Sequence, residues 1–208
     1  NFTGDFQVAS NIDAGNLVYL YELWYKQCFN RLEITVGLQD MNQYFAATDN
    51  GGYYLNSSFG TPPVISNNVL VPIFPLTGLG ISAVYHFNDK FCWLAGVYDG
   101  SPTDFENNPY NIKWDIDKDD GVFLISEAQY TIAINSLAGV YKAGGYYHTG
   151  SNEEDDNGIQ PIAVQNNYGF YFIGDQTIWK GEKDKYIDLF TQLAWSPGKK
   201  NTQNLYAG

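Results

Sequence analysis

The chain has 208 residues, of which 23 are acidic and 11 basic, giving a net charge of −12, and 17% are aromatic. That is one domain's worth of material, or a piece of a larger one. The charge, with Lys and Arg scattered singly, leaves no basic stripe to neutralise phosphates and argues against a nucleic-acid partner, while an aromatic-rich composition that is 44% hydrophobic argues against disorder. No apolar run approaches the roughly 20 residues of a membrane helix, so any membrane role falls to strands.

Asn1-Phe2-Thr3 has neither a basic n-region nor an apolar h-region, so a targeting peptide, where one existed, is expected to be already removed. A weak strand is predicted over Asp5 to Ser10 and a firmer one over Leu17 to Cys28. In Arg31 to Asp40, Leu32, Ile34, Val36 and Leu38 share one face while Glu33, Thr35, Gly37 and Gln39 share the other, the period of a strand with one apolar side. Similar segments follow at Gly78 to Phe87, Phe91 to Asp99, Gly121 to Ile134, Val140 to His148 and Tyr168 to Lys180. The last, Tyr186 to Ser196, sets Ile187, Leu189, Leu193 and Trp195 opposite Asp188, Gln192 and Ser196. Seventeen Tyr, thirteen Phe and a single Met suit pleated sheet throughout.

The connections are more informative than the strands. Short turns at Phe29-Asn30, Asn88 to Lys90, Asn135-Ser136 and Gly181 to Asp184 alternate with long polar connections at Met41 to Thr77, Gly100 to Asp120 and Thr149 to Asn167. This alternation is the pattern of an outer-membrane barrel, with tight turns at one rim and long external loops at the other. In such a barrel the apolar face meets lipid and the polar face lines a lumen. Glu22, Glu33, Gln39, Glu127, Gln129, Asp175, Asp188 and Gln192 recur on the polar face. Aromatics crowd the strand ends, as in interfacial girdles. A soluble β-sandwich that binds or cleaves carbohydrate would also use aromatics and carboxylates, but it would not account for the alternating loop lengths.

Seven blocks, in order, resemble the bacterial carbohydrate-selective porin family. They are Leu20-Tyr21-Glu22-Leu23-Trp24-Tyr25, Val36-Gly37-Leu38-Gln39-Asp40-Met41-Asn42, Leu55-Asn56-Ser57-Ser58-Phe59-Gly60, Ala95-Gly96-Val97-Tyr98-Asp99-Gly100, Gly121 to Ala128, Tyr146-Tyr147-His148-Thr149-Gly150 and Tyr168 to Gln176. The resemblance implies an all-β, antiparallel up-and-down transmembrane barrel of about 16 strands that serves as a passive, sugar-preferring channel of the outer membrane. Eight or nine strands are visible, so residues 1–208 are expected to be an incomplete barrel, such as one half; a closed eight-stranded barrel would be filled by its own side chains. The partners implied are neutral mono- or oligosaccharides, outer-membrane lipid and lipopolysaccharide. The alternative is an accessory or structural subunit of an envelope complex with little transport.

A sugar channel needs hydrogen-bonding groups for hydroxyls and flat rings for the hexose face, in weak repeated contacts. The connection Met41 to Thr77, with Asn56 and Ser57, is the candidate for a loop folded into the lumen, the competing reading being a solvated external loop. Candidate wall residues are Glu22, Gln39, Asp40, Asp99, Glu127, Lys142, His148 and Asp175. Trp24 is read either as a stacking platform or as packing for the loop. The carboxylates on this face would give an open pore a negative potential and a preference for cations.

Catalytic signals are poor: no G-x-S-x-G elbow, P-loop or H-E-x-x-H occurs, and the chain is not expected to be an enzyme. No cofactor is expected. The acidic runs Asp115 to Gly121 and Glu153 to Gly158 suggest calcium, but from Asp115 the sixth position is Asp120 where an EF-hand needs glycine, and the twelfth is Ser126 where it needs glutamate, so a solvated acidic loop is the commoner explanation and calcium or magnesium bridging to lipopolysaccharide the alternative. Cys28 and Cys92 fall on strands three steps apart, too far for a disulfide.

Overall fold

The structure, a computed structural model, describes residues 16–114, 116, 121–150, 166–183, 185–198 and 201–208. The predicted strand at Asp5 to Ser10 and most of both acidic runs lie outside the described residues.

Nine strands form one antiparallel sheet in strict chain order: β1 (Leu23–Phe29), β2 (Leu32–Gln39), β3 (Gly78–Asn88), β4 (Phe91–Asp99), β5 (Val122–Ile134), β6 (Leu137–His148), β7 (Asn167–Lys180), β8 (Tyr186–Trp195) and β9 (Leu205–Ala207). Such a meander follows from short turns on one side. Asn30 turns with φ 49°, and the pair Asn135-Ser136 has φ 51° and 67°, the double positive φ of a hairpin turn whose twist matches that of the strands it joins. β1 and β9 pair on one side only, so the described sheet is open and the closed eight-stranded alternative does not hold.

One predicted boundary moves by six residues and one strand is additional. Leu17 to Glu22 does not join β1: its backbone is taken up by the long connections, Leu20 donating to the Tyr110 carbonyl at 3.0 Å and accepting from Asn111 Nδ2 at 3.1 Å. β9 carries no alternating apolar face for sequence patterning to detect.

The cross-strand register sorts side chains into two faces. One carries Val36, Ile81, Val97 and Leu124 as successive neighbours, with Leu189, Leu193 and Trp195 farther along, all exposed. Toward the turns it carries Tyr85, Trp93, Tyr130 and Trp179, and toward the long loops Tyr147, Tyr168 and Phe170; Phe170 stacks on Trp195 at 6.3 Å and 8°. The opposite face carries Thr35, Ser82, Glu127, Lys142, Asp175 and Gln192, all buried. An apolar side open to the surroundings and a polar side that is covered is the inverse of a soluble sandwich, and it is what a wall between lipid and a lumen requires. Leu38 is the exception to the expected lipid row. It lies on Val36's side of β2 but is buried where Thr77, Pro102 and Trp114 close over it.

Among the described residues no helix is long and apolar enough to cross a membrane, a statement that does not bear on strands. Both cysteines are free thiols. The outward assignment predicts that Val36→Arg lowers folding stability in a bilayer by about 2–4 kcal/mol. Tyr53→Arg, on an aqueous loop, changes it by less than about 0.5 kcal/mol. Denaturant titration in lipid vesicles measures both.

Candidate inner wall and its loop

The connection from 41 to 77 has a local reason for each bend. Asp40 caps the 3-10 turn Met41–Gln43 by accepting from Asn42 N at 2.9 Å, and Asn56 caps Ser57–Phe59 by accepting from Ser58 N at 2.9 Å. Pro62 and Pro63 start the single-turn helix α1 (Pro63–Ser66), a position where a missing N–H does no harm. The turns bring Met41, Phe45, Ala46, Val64, Ile65 and Val69 to one side, where they bury against Leu94, Tyr98, Phe123, Ile125, Tyr146 and Ile173 of the wall. The connection therefore lies on the polar side of the sheet. The clustered residues are the apolar islands of that face.

Glycines make this docking possible. The Tyr98 ring lies so close over Gly80 and Gly96 that an added Cβ would sit 2.1 Å and 2.6 Å from ring carbons, and Tyr171 covers Gly144 in the same way, at 2.3 Å. Each ring lies down on the wall instead of standing from it, which leaves depth for the loop above.

Polar groups complete the contact. Glu127, 1% exposed, accepts from Ala46 N at 2.9 Å, Tyr171 Oη at 2.8 Å and Gln129 Nε2 at 2.6 Å. Lys142 Nζ donates to the Ala47 carbonyl at 2.6 Å. Asp175 accepts from the Thr48 hydroxyl, from Asn50 N at 3.2 Å and from Asp49 N at 3.4 Å. Farther on, Gln192 Nε2 donates to the Gly60 carbonyl at 2.9 Å, Tyr146 Oη to that of Val64 at 2.9 Å and Tyr206 Oη to that of Ser58 at 2.8 Å. A connection with little regular structure buries backbone polar groups that must find partners. The wall supplies them.

The remaining candidates divide. Gln39 is wholly buried, donating to the Gly80 carbonyl at 2.9 Å and accepting from Ser82 Oγ at 2.8 Å. Glu22 accepts from Asp40 N at 2.9 Å, and Asp40 also accepts from the Tyr21 hydroxyl. Burial lifts the Asp40 carboxyl above its ordinary range, against the lowering effect of the Tyr21 and Asn42 bonds, and burial followed by the bond to Asp40 lifts the Tyr21 phenol. His148 is buried with Nε2 facing the Gly100 carbonyl at 2.8 Å and Nδ1 accepting from Gly150 N at 3.1 Å, which assigns the proton to Nε2. Asp99 alternates with the inward Tyr98 and therefore lies on the outer side, beside Leu38 and Pro102. Asn56 is exposed on the loop and Ser57 half-buried beside it. Trp24 faces inward opposite Gly37 and is 45% exposed, with Lys26 Nζ 6.0 Å from its ring.

An inner group on the turn side was not singled out by sequence. Lys26 lies 5.1 Å from the Tyr44 ring and 3.3 Å from Glu33 Oε2, and Glu33 Oε1 is 3.4 Å from His86 Nε2. Same-face alternation would have placed Lys26 with Trp24 and Glu33 with Thr35, but only the register brings β1, β2 and β3 into one ladder. Among the described residues no group of three or more His, Cys, Asp or Glu is placed to hold a metal ion.

A one-sheet meander with an apolar exterior, and with its long first loop docked on a polar inner face, is part of the wall of a porin-type outer-membrane barrel. Comparison with known proteins agrees: the family described as carbohydrate-selective porin, OprB family, matches residues 3–208, and the chain belongs to that family. It is a family of bacterial outer-membrane channels, not of enzymes. Among solved structures, the high-pH structure of Pseudomonas putida OprB shares the fold with a TM-score of 0.75 at 19% identity, over 91% of this chain and 48% of that one. The chain thus spans about half the length of that porin. No curated protein matches.

The ring-over-glycine joints give a test. Gly80→Ala pushes Tyr98 off the wall and is expected to cost about 1–3 kcal/mol, the range of overpacking. Gly52→Ala, where an added Cβ meets nothing within 4 Å, should be neutral. Thermal unfolding in detergent compares them.

Proposed function

We propose that this chain forms part of the wall and constriction of a passive outer-membrane channel for neutral sugars, mono- or oligosaccharides, with its apolar face in contact with membrane lipid and lipopolysaccharide. The observation that carries this reading is the connection 41–77 lying along the inner face, because a loop held there narrows a lumen to the scale of a solute. Its free side presents Tyr53, Tyr54 and Leu55, all exposed, and below it lie Trp24, Tyr44 and Lys26. Rings and hydrogen-bonding groups spread along a path give weak successive contacts, which suit conduction better than one tight site.

Family membership and the docked loop favour this reading over the accessory-subunit alternative, since a loop so thoroughly anchored defines an aperture.

The native porin reconstituted in liposomes should admit glucose-sized neutral solutes at rates that fall with solute size, and neutral sugars should partially block its current in planar bilayers. Swelling that does not discriminate among sugars of different size, or no swelling at all, would contradict it.

A further inference from the structure

Five successive loop residues are each held by a charged side chain of the wall. Ala46 gives its N–H to Glu127, Ala47 its carbonyl to Lys142, and Thr48 its hydroxyl to Asp175, which also receives the N–H groups of Asp49 and Asn50. The three holders come from β5, β6 and β7 and are 1%, 7% and 6% exposed. Ala46 adopts φ 54°, left-handed for a residue with a Cβ, and in that conformation its N–H reaches Glu127. Among the described residues, no Lys or Arg nitrogen pairs with Glu127 or Asp175; their partners are amides and hydroxyls.

We infer that Glu127, Lys142 and Asp175 are positioning residues, a clasp that fixes residues 46–50 against the wall and thereby sets the size limit of the channel. This rests on the porin reading above and names the residues that determine its aperture. The mechanism follows from the order of the loop. Just beyond the clasped segment, Gly51 is buried, donating to Thr48 Oγ1 at 3.1 Å, and after it the chain runs out into Tyr53, 80% exposed. Fixing 46–50 therefore fixes where the exposed stretch 52–55 stands. The two carboxylates are saturated by loop and wall donors and turned away from water, so they act on the position of the loop and not as a ring of free charge. The acidic-lining reading from sequence makes the opposite prediction for the same residues.

The test uses the native porin with Cys28→Ser and Cys92→Ser as background. Asp175→Ala should raise the swelling rate for a neutral trisaccharide relative to glucose, roughly doubling the ratio as the loop loosens, with the potassium-to-chloride permeability ratio unchanged. Thr48→Cys combined with Asp175→Cys replaces the hydrogen bond by a covalent tether that carries no charge; oxidised, it should restore the parental size limit, and reduced, it should behave like Asp175→Ala. A spin label at Tyr53→Cys reads the loop directly and should gain mobility on Asp175→Ala. Should Asp175→Ala fail to insert, Lys142→Met loosens the clasp from a different strand. A changed permeability ratio with an unchanged size limit and an immobile label would overturn the clasp. Absence of any parental conductance would overturn the porin reading instead, leaving label mobility to decide the clasp.

Discussion

A strand has two faces, and everything in this structure depends on what each face meets. In lipid no water is present to satisfy a polar group, so the outer side of the sheet is dominated by apolar and interfacial residues such as Val36, Leu193 and Trp93, and a polar group there pairs locally, as Ser126 Oγ does by accepting from Trp93 Nε1 at 2.8 Å. The inner side then carries the buried polar content of the strands, such as Glu127, Lys142, Asp175 and Gln192. That content is covered by a 37-residue connection, from 41 to 77, whose backbone carries donors and acceptors of its own. Wall and loop satisfy each other: Glu127, Lys142, Asp175 and Gln192 on one side, main-chain amides and carbonyls on the other.

This mutual satisfaction explains why charged residues sit buried in the middle of strands without ion-pair partners among the described residues. A carboxylate accepting two or three amide or hydroxyl bonds has charge-assisted hydrogen bonds, each worth about 1.5–3 kcal/mol net, which offset the removal of the charge from water. The apolar islands of the inner face, Tyr98, Phe123, Ile125 and Ile173, contribute by packing against Phe45, Val64 and Ile65. Neither contribution alone would hold a connection with so little regular structure, in which the only α-helix is a single turn.

Much of this was legible in the sequence. Apart from Leu17 to Glu22, which the long connections take up, the period-two pattern gave strands from Arg31 onward whose boundaries agree to within a few residues, as at Phe91 to Asp99, and the alternation of short and long connections pointed to a barrel wall before any register was available. What patterning could not supply was depth. Leu38 looks like its neighbours Ile34 and Val36, yet the loop carrying Pro102 and Trp114 covers it. Asp99 has the right residue type for a lining group, but a single step of the pleat puts it outside. Glu127 and Asp175 read as lumen carboxylates because no sequence signal reveals that Ala46 and Asn50, distant in the chain, will approach them. Glu33 was legible as a polar-face residue, but its meeting with Lys26 and His86 was not, since the three come together only across three strands.

The assignment of faces is tested most directly by tryptophan quenching with brominated lipid in single-tryptophan variants of the native porin. The account predicts that Trp93 and Trp195 are strongly quenched by bromines on the acyl chains while Trp24, on the inner wall, is quenched only by soluble agents. Quenching of Trp24 by lipid to the same extent as Trp93 would contradict it, because the polar face and its loop would then face the membrane.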